Sequence, residues 1–231
     1  MIKLLSKAAR LMPEKIKKET EFVEMIIGVN KENVEHVFTL INEDNVKKAG
    51  DIINFSVEIR PKEIETFLTL VSLISSKFGD DKLQGFSNYF LSFLASQDVL
   101  PQENEEEDNE AYTEFATGSI EHAIREDNVG QFCELFYDKS FNDKIKFNIG
   151  SENIYVSYLQ LIAYFGSIKC FKQAVMNDDI DLTDISKYAV AGGSNEIIRI
   201  LEQKGVSFDN CFEIGVKYHR MDLCDWLLMH T

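Results

Sequence analysis

The segment Gly192-Gly193-Ser194 stands directly before an apolar helical run, an arrangement that phosphate-binding loops use. The backbone amides of a glycine-rich turn at a helix N-terminus can bind an anion. Such a loop would normally follow a strand and carry Lys-Ser or Lys-Thr, whereas Asn195 and Glu196 follow here, after a helical pattern. Because the carboxylate of Glu196 opposes a bound phosphate, we interpret the segment as a turn between two helices.

The other residues that could do chemistry are scattered along the chain. The sequence contains no CxxC, HExxH, GxSxG or Walker motif, which would indicate zinc binding, nucleophilic catalysis or nucleotide binding. Cys133 falls on the polar side of its helical pattern and is the candidate reactive thiol, with an ordinary surface cysteine as the alternative. We predict no catalytic residue, no metal and no cofactor. The remaining cysteines and histidines, assigned to core, surface or turn positions, are Cys170, Cys211, Cys224, His36, His122, His219 and His230.

The net charge of −15 over 231 residues lies mostly in the C-terminal half. An acidic surface repels phosphate backbones, so we predict no nucleic-acid partner. Solubility alone explains the acidity, and so does an acidic face for a basic protein partner. The chain has no apolar run of the about 18 residues that a transmembrane helix needs, and no secretory signal. We therefore predict a cytoplasmic protein with reduced cysteines that is not an integral membrane protein.

An acidic segment divides the chain. Residues 101–110, PQENEEEDNE, have six carboxylates and no apolar side chain, which is typical of a solvated linker. We predict an N-terminal helical region over 1–100, an acidic linker over 101–112 and a C-terminal repeat domain over 113–231.

Three C-terminal segments share one pattern, with their starts 27 and then 26 residues apart. Each begins with a residue that caps helices well: Ser157, Asp184 or Asn210. Small or aliphatic residues follow, then a turn, then an apolar run at helical spacing. The pattern predicts one helix–turn–helix pair in each segment. The segments read SYLQLIAYFGSIKCFKQAV, DISKYAVAGGSNEIIRILE and NCFEIGVKYHRMDLCDWLL.

The turn in each segment has a residue that tolerates left-handed backbone geometry, which glycine adopts freely and Asp, Asn and His adopt more often than most. The earlier segment 119–136 fits the same pattern. Asn177 and Gly205 are predicted to cap second helices in the same conformation. The predicted left-handed turn residues are Asp127, Gly166, Gly193 and His219.

The pattern extends weakly toward the N-terminus. Segments 28–41 and 58–71 match the second helix of segment 119–136, so they predict two further pairs, and 82–95 predicts one more apolar helix. Residues 144–157, KIKFNIGSENIYVS, alternate partly between apolar and polar, which predicts an inserted β-hairpin.

These pairs resemble ankyrin repeats. Ser157 stands where that family has threonine, Gln160 where it has histidine, and Ala163 keeps one of its paired alanines. The spacing is shorter than the ankyrin period of ~33 residues. The segments SIEHAIREDNV, LIAYFGSIKCFK, AVAGGSNEIIRILEQKG and VKYHRMDLCDWLL look like a divergent ankyrin-repeat family of unknown function that is expanded in protists. The resemblance implies an all-α solenoid of degenerate ankyrin-like repeats that binds proteins.

The resemblance also implies which positions face a partner, namely the two residues before each turn. The alternative for the aromatic ones is that they pack between repeats. The predicted partner-binding residues are Arg125, Glu126, Tyr164, Phe165, Ala191, Gly192, Lys217 and Tyr218.

Two further function classes stay open. Residues 1–18 begin with a basic amphipathic stretch that could direct the chain to an organelle or a membrane surface, or could cap the first repeat. A small hydrolase or transferase has no motif to support it. Trp226 is predicted to help close the last repeat, whose exposed end is a candidate surface for docking or homo-oligomerisation.

Overall fold

A computed structural model describes residues 13–83, 118–149 and 152–230 of the protein. The described residues are mostly helical with one two-stranded sheet, which agrees with the all-α prediction. The chain divides into two compact units, 1–94 and 95–231. The predicted linker 101–112, most of the predicted helix 82–95, and residues 1–12 lie outside the described residues.

The N-terminal unit contains four α-helices within the described residues 13–83. Helix α1 packs against α3, α2 against α4, and α3 against α4. The predicted helical runs near Val34 and Ile64 begin α2 and α4, and Pro61 starts a 3-10 turn before α4, where its missing amide does no harm. Buried aliphatic side chains at helical spacing form the core. The helices are α1 (Glu14–Ile27), α2 (Val34–Thr39), α3 (Val46–Ile59) and α4 (Ile64–Phe78).

Paired asparagines build the two turns on either side of α2. Asn30 and Asn33 each accept the other's backbone amide, at 2.8 and 3.1 Å, and Asn42 and Asn45 do the same at 2.8 and 3.2 Å. The repeated sequence Asn-x-x-Asn-Val carries this device. These local bonds satisfy backbone groups that a helix end leaves unpaired.

The described part of the C-terminal unit consists of four helical pairs with a hairpin between the first and the second. The first helices α5, α7, α9 and α11 lie side by side in chain order, as do the second helices α6, α8 and α10. The pairs are α5 (Ile120–Arg125) with α6 (Val129–Leu135), α7 (Tyr158–Tyr164) with α8 (Ile168–Ala174), α9 (Ile185–Gly192) with α10 (Asn195–Gln203), and α11 (Phe212–Lys217) with α12 (Met221–His230).

The predicted hairpin is confirmed. Strands β1 (Lys144–Ile149) and β2 (Glu152–Ser157) pair antiparallel, with Lys146 opposite Tyr155. Alternation gives the sheet two faces. Phe147 and Val156 are buried on one face, and Lys144, Lys146 and Tyr155 are exposed on the other.

All four predicted turn residues are left-handed, with φ of 51°, 62°, 72° and 53° at Asp127, Gly166, Gly193 and His219. The turns therefore share one backbone geometry although only two of these residues are glycine. The predicted left-handed conformation of Gly205 is confirmed, with φ of 80°.

Three capping predictions need correction. Asn177 does not adopt a positive φ. Asn210 does adopt a positive φ, of 64°. It lies one residue before the N-cap position of α11, which Cys211 occupies. Asp184 is the N-cap residue of α9 but is itself left-handed, and its side chain makes no capping bond. Ser157 is confirmed, since it forms a reciprocal capping box with Gln160.

Candidate interaction surface

The third pair approaches the second pair closely at Gly192. A Cβ atom there would lie 2.1 Å from the Ala163 carbonyl oxygen and 2.8 Å from the Tyr164 carbonyl oxygen. Both contacts are with backbone, which cannot rotate away. The absent side chain thus allows α9 to end against the last turn of α7. Gly192 belongs to the segment that resembles a phosphate-binding loop, and its physical role is this close packing of two helices.

Aromatic rings join the hairpin to the second and last pairs. The Tyr164 and Tyr218 ring centroids are 6.0 Å apart at 87°, and the Phe147 ring lies 6.0 Å from that of Tyr164 and 5.8 Å from that of Phe165. Edge-to-face packing of this kind stabilises beyond area burial by about 0.5–1.5 kcal/mol per pair. We call these four residues the aromatic row.

The aromatic row lies inside the unit. Tyr164, Phe165 and Tyr218 are 4%, 1% and 6% exposed, so they offer almost no area to a partner. The structure favours the alternative that they pack between pairs. Ala191 is also buried, at the position equivalent to Tyr164. The small residues Ala191 and Gly192 occupy the intervening pair, between the two tyrosines that meet.

The other predicted contact residues divide by exposure. The Arg125 side chain is buried, and its Nε donates to Glu126 Oε1 at 3.1 Å. Glu126 itself is exposed. Lys217 is exposed, with its Nζ 5.7 Å from the centre of the Tyr218 ring. Of the eight predicted residues, only these two charged ones are exposed, and their role as partner contacts stays a prediction.

Bonds between neighbouring pairs fix the turns in place. Asp127 Oδ1 accepts the amides of Lys169 and Cys170 at 2.9 and 3.0 Å, so a turn residue of the first pair caps α8. Arg220 Nε donates to the Ala191 carbonyl at 2.9 Å, which joins the last pair to the third. These bonds join the second pair to the first and the last pair to the third.

Three of the four cysteines are placed as predicted. Cys133 is exposed, whereas Cys170 and Cys224 are buried. Burial, together with the Asp127 carboxylate, raises the pKa of the Cys170 thiol to about 12. A neutral thiol is a poor nucleophile. These buried cysteines are part of the core.

The last pair carries a group of exposed apolar side chains that differs from the predicted contact residues. The exposed fractions of Val216 and Leu228 are 50% and 49%. Apolar side chains that are exposed together mark interaction sites, whereas single exposed ones are ordinary. We call the group the end face. It consists of Phe212 and Val216 on α11 and Met221, Leu228 and Met229 on α12.

Val216 and Leu228 of the end face point away from the preceding pair. Val190 of α9 faces α11, because a Cβ on Gly215 would lie 3.7 Å from Val190 Cγ1. Val216 occupies the position in α11 that Val190 occupies in α9. On α12, the Trp226 ring packs edge-on to Phe208, which precedes α11, with centroids 5.4 Å apart. Leu228 is two residues further on, and projects roughly opposite at about 100° per residue.

Sequence reasoning anticipates an exposed end but does not single out these residues. The signal is present: Met221, Leu228 and Met229 are equivalent to Asn195, Glu202 and Gln203 of α10, so three polar positions become apolar. An alignment of the pairs by surface position, and not only by core position, shows it.

Within the described residues, no three His, Cys, Asp or Glu side chains come together as a metal site. No helix in residues 13–83, 118–149 or 152–230 is long and apolar enough to cross a membrane. Comparison of the chain with family models, with curated proteins and with solved structures gives no match. The resemblance to ankyrin repeats therefore stays a prediction from the residues.

Proposed function

We propose that the protein is a non-catalytic scaffold that binds another protein, built in its C-terminal unit as a solenoid of degenerate ankyrin-like pairs, and that it acts in the cytoplasm. The end face is the proposed binding surface. Rigid positioning by the inter-pair bonds of Asp127 and Arg220 supports this role, because a preorganised surface loses little entropy on docking.

The observation that carries the proposal is the exposure of Val216. The equivalent residues Ala163 and Val190 are both fully buried, and Val190 is covered by the next first helix. Burial of an apolar side chain stabilises by about 25 cal/mol per Å². The uncovered position is thus a surface whose burial by a partner is favourable.

The test is affinity capture from an extract of the native cell with the full chain as bait. The wild type is compared with Val216→Lys/Leu228→Lys and with the control Tyr137→Lys/Met176→Lys, which changes two residues that are 86% and 77% exposed elsewhere in the unit. Both variants add the same charge. We expect the first variant to lose a bound protein by about tenfold or more and the control to retain it.

The result against the proposal is retention of the same proteins by all three baits. Sedimentation of the purified wild type separates a foreign partner from a second copy. A dimer that only Val216→Lys/Leu228→Lys abolishes would identify the bound protein as the chain itself.

A further inference from the structure

We infer that the partner segment bound at the end face is an amphipathic α-helix whose apolar stripe is flanked by Lys or Arg. This inference rests on the proposed function, since it names the kind of protein segment that the same surface receives.

The helical form of the partner follows from how the inner pairs cover the equivalent position. Val190 of α9 packs on Gly215 of α11, so the first helix of the third pair lies along the first helix of the last pair. On α11, Phe212 and Val216 are four residues apart and share one side of the helix. On α12, Met221 and Leu228 are seven residues apart and also share one side. Two short helical stripes of this kind match the ridge of a third helix.

The charge of the partner follows from the residues around the apolar stripes. Glu213, Asp222 and Asp225 are exposed, and Asp225 lies between Met221 and Leu228 on the exposed side of α12. Opposite charges across an interface guide encounter and orientation. We call these three carboxylates the acidic rim. A basic helix is attracted to the acidic rim, whereas an acidic helix is repelled by it.

The nearby cations weaken the acidic rim but leave it negative, because Glu213, Asp222 and Asp225 carry three charges against the two of Lys217 and Arg220. Lys217 is the one lysine or arginine within α11 and α12, and its Nζ lies over the Tyr218 ring. Arg220, in the turn between the two helices, directs its Nε to the Ala191 carbonyl of the preceding pair. The carboxylates also repel phosphate groups, so an anionic membrane is a poor occupant.

The probe is a synthetic amphipathic helix of leucine and lysine, about 15 residues long so that it forms a helix readily. Its control is the same peptide with glutamate in place of lysine. Binding of each labelled peptide to the full chain is measured by fluorescence anisotropy at constant ionic strength. We expect the lysine peptide to bind at least about tenfold more tightly than the glutamate peptide.

Two variants locate the binding, each with a control of equal charge change. Val216→Lys/Leu228→Lys removes apolar contact and is matched by Tyr137→Lys/Met176→Lys. Asp222→Lys/Asp225→Lys replaces two negative charges of the acidic rim with positive ones. Its control is Asp178→Lys/Asp179→Lys, which makes the same charge change at exposed carboxylates in the loop after α8. We expect each test variant to weaken the lysine peptide by about tenfold and each control to change it by less than about threefold.

Each other outcome overturns the inference. Equal weakening by Asp178→Lys/Asp179→Lys would show attraction to net charge alone. Equal binding of both peptides, or of neither, would exclude a basic helix as the occupant, while capture of a native protein that depends on Val216 and Leu228 would leave the proposed function standing. Binding of the wild type to anionic vesicles, lost in Asp222→Lys/Asp225→Lys or not, would point to a membrane occupant instead.

Discussion

The third and last helical pairs share one interior and differ in their surfaces. Ile197 and Leu201 of α10 are buried, as are Leu223 and Leu227 at the equivalent positions of α12. Their surfaces diverge, since α10 carries Asn195, Glu202 and Gln203 where α12 carries Met221, Leu228 and Met229. Core positions therefore specify the helical pair, while surface positions determine what the pair contacts.

The largest expected effect on the free energy of unfolding comes from a substitution in the third pair. Gly192→Ala places a methyl group 2.1 Å from a carbonyl oxygen of α7, and backbone must move to accept it. We expect a loss of about 3 kcal/mol or more in the free energy of unfolding. Urea denaturation monitored by circular dichroism measures it.

The control for this substitution is Gly130→Ala. Gly130 lies in α6, and its nearest contact for a new Cβ atom is 3.7 Å away. Alanine there should raise the free energy of unfolding by about 0.5–1 kcal/mol, because it favours the helix. If Gly192→Ala were as harmless as Gly130→Ala, the close approach of α9 to α7 would be wrong.

The second effect tests the aromatic row across the third pair. Tyr218→Ala and Tyr164→Ala each remove a buried ring, so we expect each to lower the free energy of unfolding by about 3 kcal/mol. The double substitution should cost less than the sum by about 0.5–1.5 kcal/mol, because the rings are in contact. Strict additivity in the double-mutant cycle would contradict that contact.

The third effect concerns Gly215 of the last pair, where an added methyl group would contact a side chain and not backbone. The Cβ atom of Gly215→Ala would lie 2.8 Å from the Cys224 sulfur, a side-chain atom that can shift. We expect a loss of about 1–2 kcal/mol, smaller than that for Gly192→Ala. Replacing Cys224 with alanine makes room, so Gly215→Ala should cost less in the Cys224→Ala background than in the wild type. Thermal unfolding of the four proteins provides the comparison, and an equal cost in both backgrounds would rule out this clash.

The smallest effect concerns the end face itself. Val216→Lys/Leu228→Lys changes two half-exposed side chains, so its effect on the free energy of unfolding should stay within about 1 kcal/mol. Differential scanning calorimetry checks this. A much larger loss would mean that these side chains serve the fold, and any loss of binding in this variant would then need a different explanation.

Much of the C-terminal fold can be predicted from local sequence preferences. Left-handed turns at Asp127 and His219, the capping box at Ser157 and the hairpin over 144–157 each depend on a few neighbouring residues. Such features are set by backbone sterics and short-range hydrogen bonds. The repeated pattern then indicates that the pairs follow one plan.

Burial of the predicted contact residues could not be predicted in the same way. Whether Tyr164 reaches Tyr218 depends on the small size of Ala191 and Gly192 in the pair between them. That is a relation through space among three segments, and the spacing along the chain does not encode it. The acidic rim and the apolar end face are readable as residue types, but only the fold brings α11 and α12 together into one surface.

Whether the end face binds a protein is tested most directly with a photoreactive phenylalanine analogue at Val216 or Leu228 and, as a control, at Tyr137 or Met176. Irradiation in the native cell, followed by purification and mass spectrometry, identifies what touches each position. We expect one and the same protein to be cross-linked from Val216 and Leu228, through a segment that is helical and rich in Lys or Arg. We expect that this protein is not recovered from Tyr137 or Met176. Cross-linking of that protein only from the control positions, with nothing recovered from the end face, would contradict this expectation.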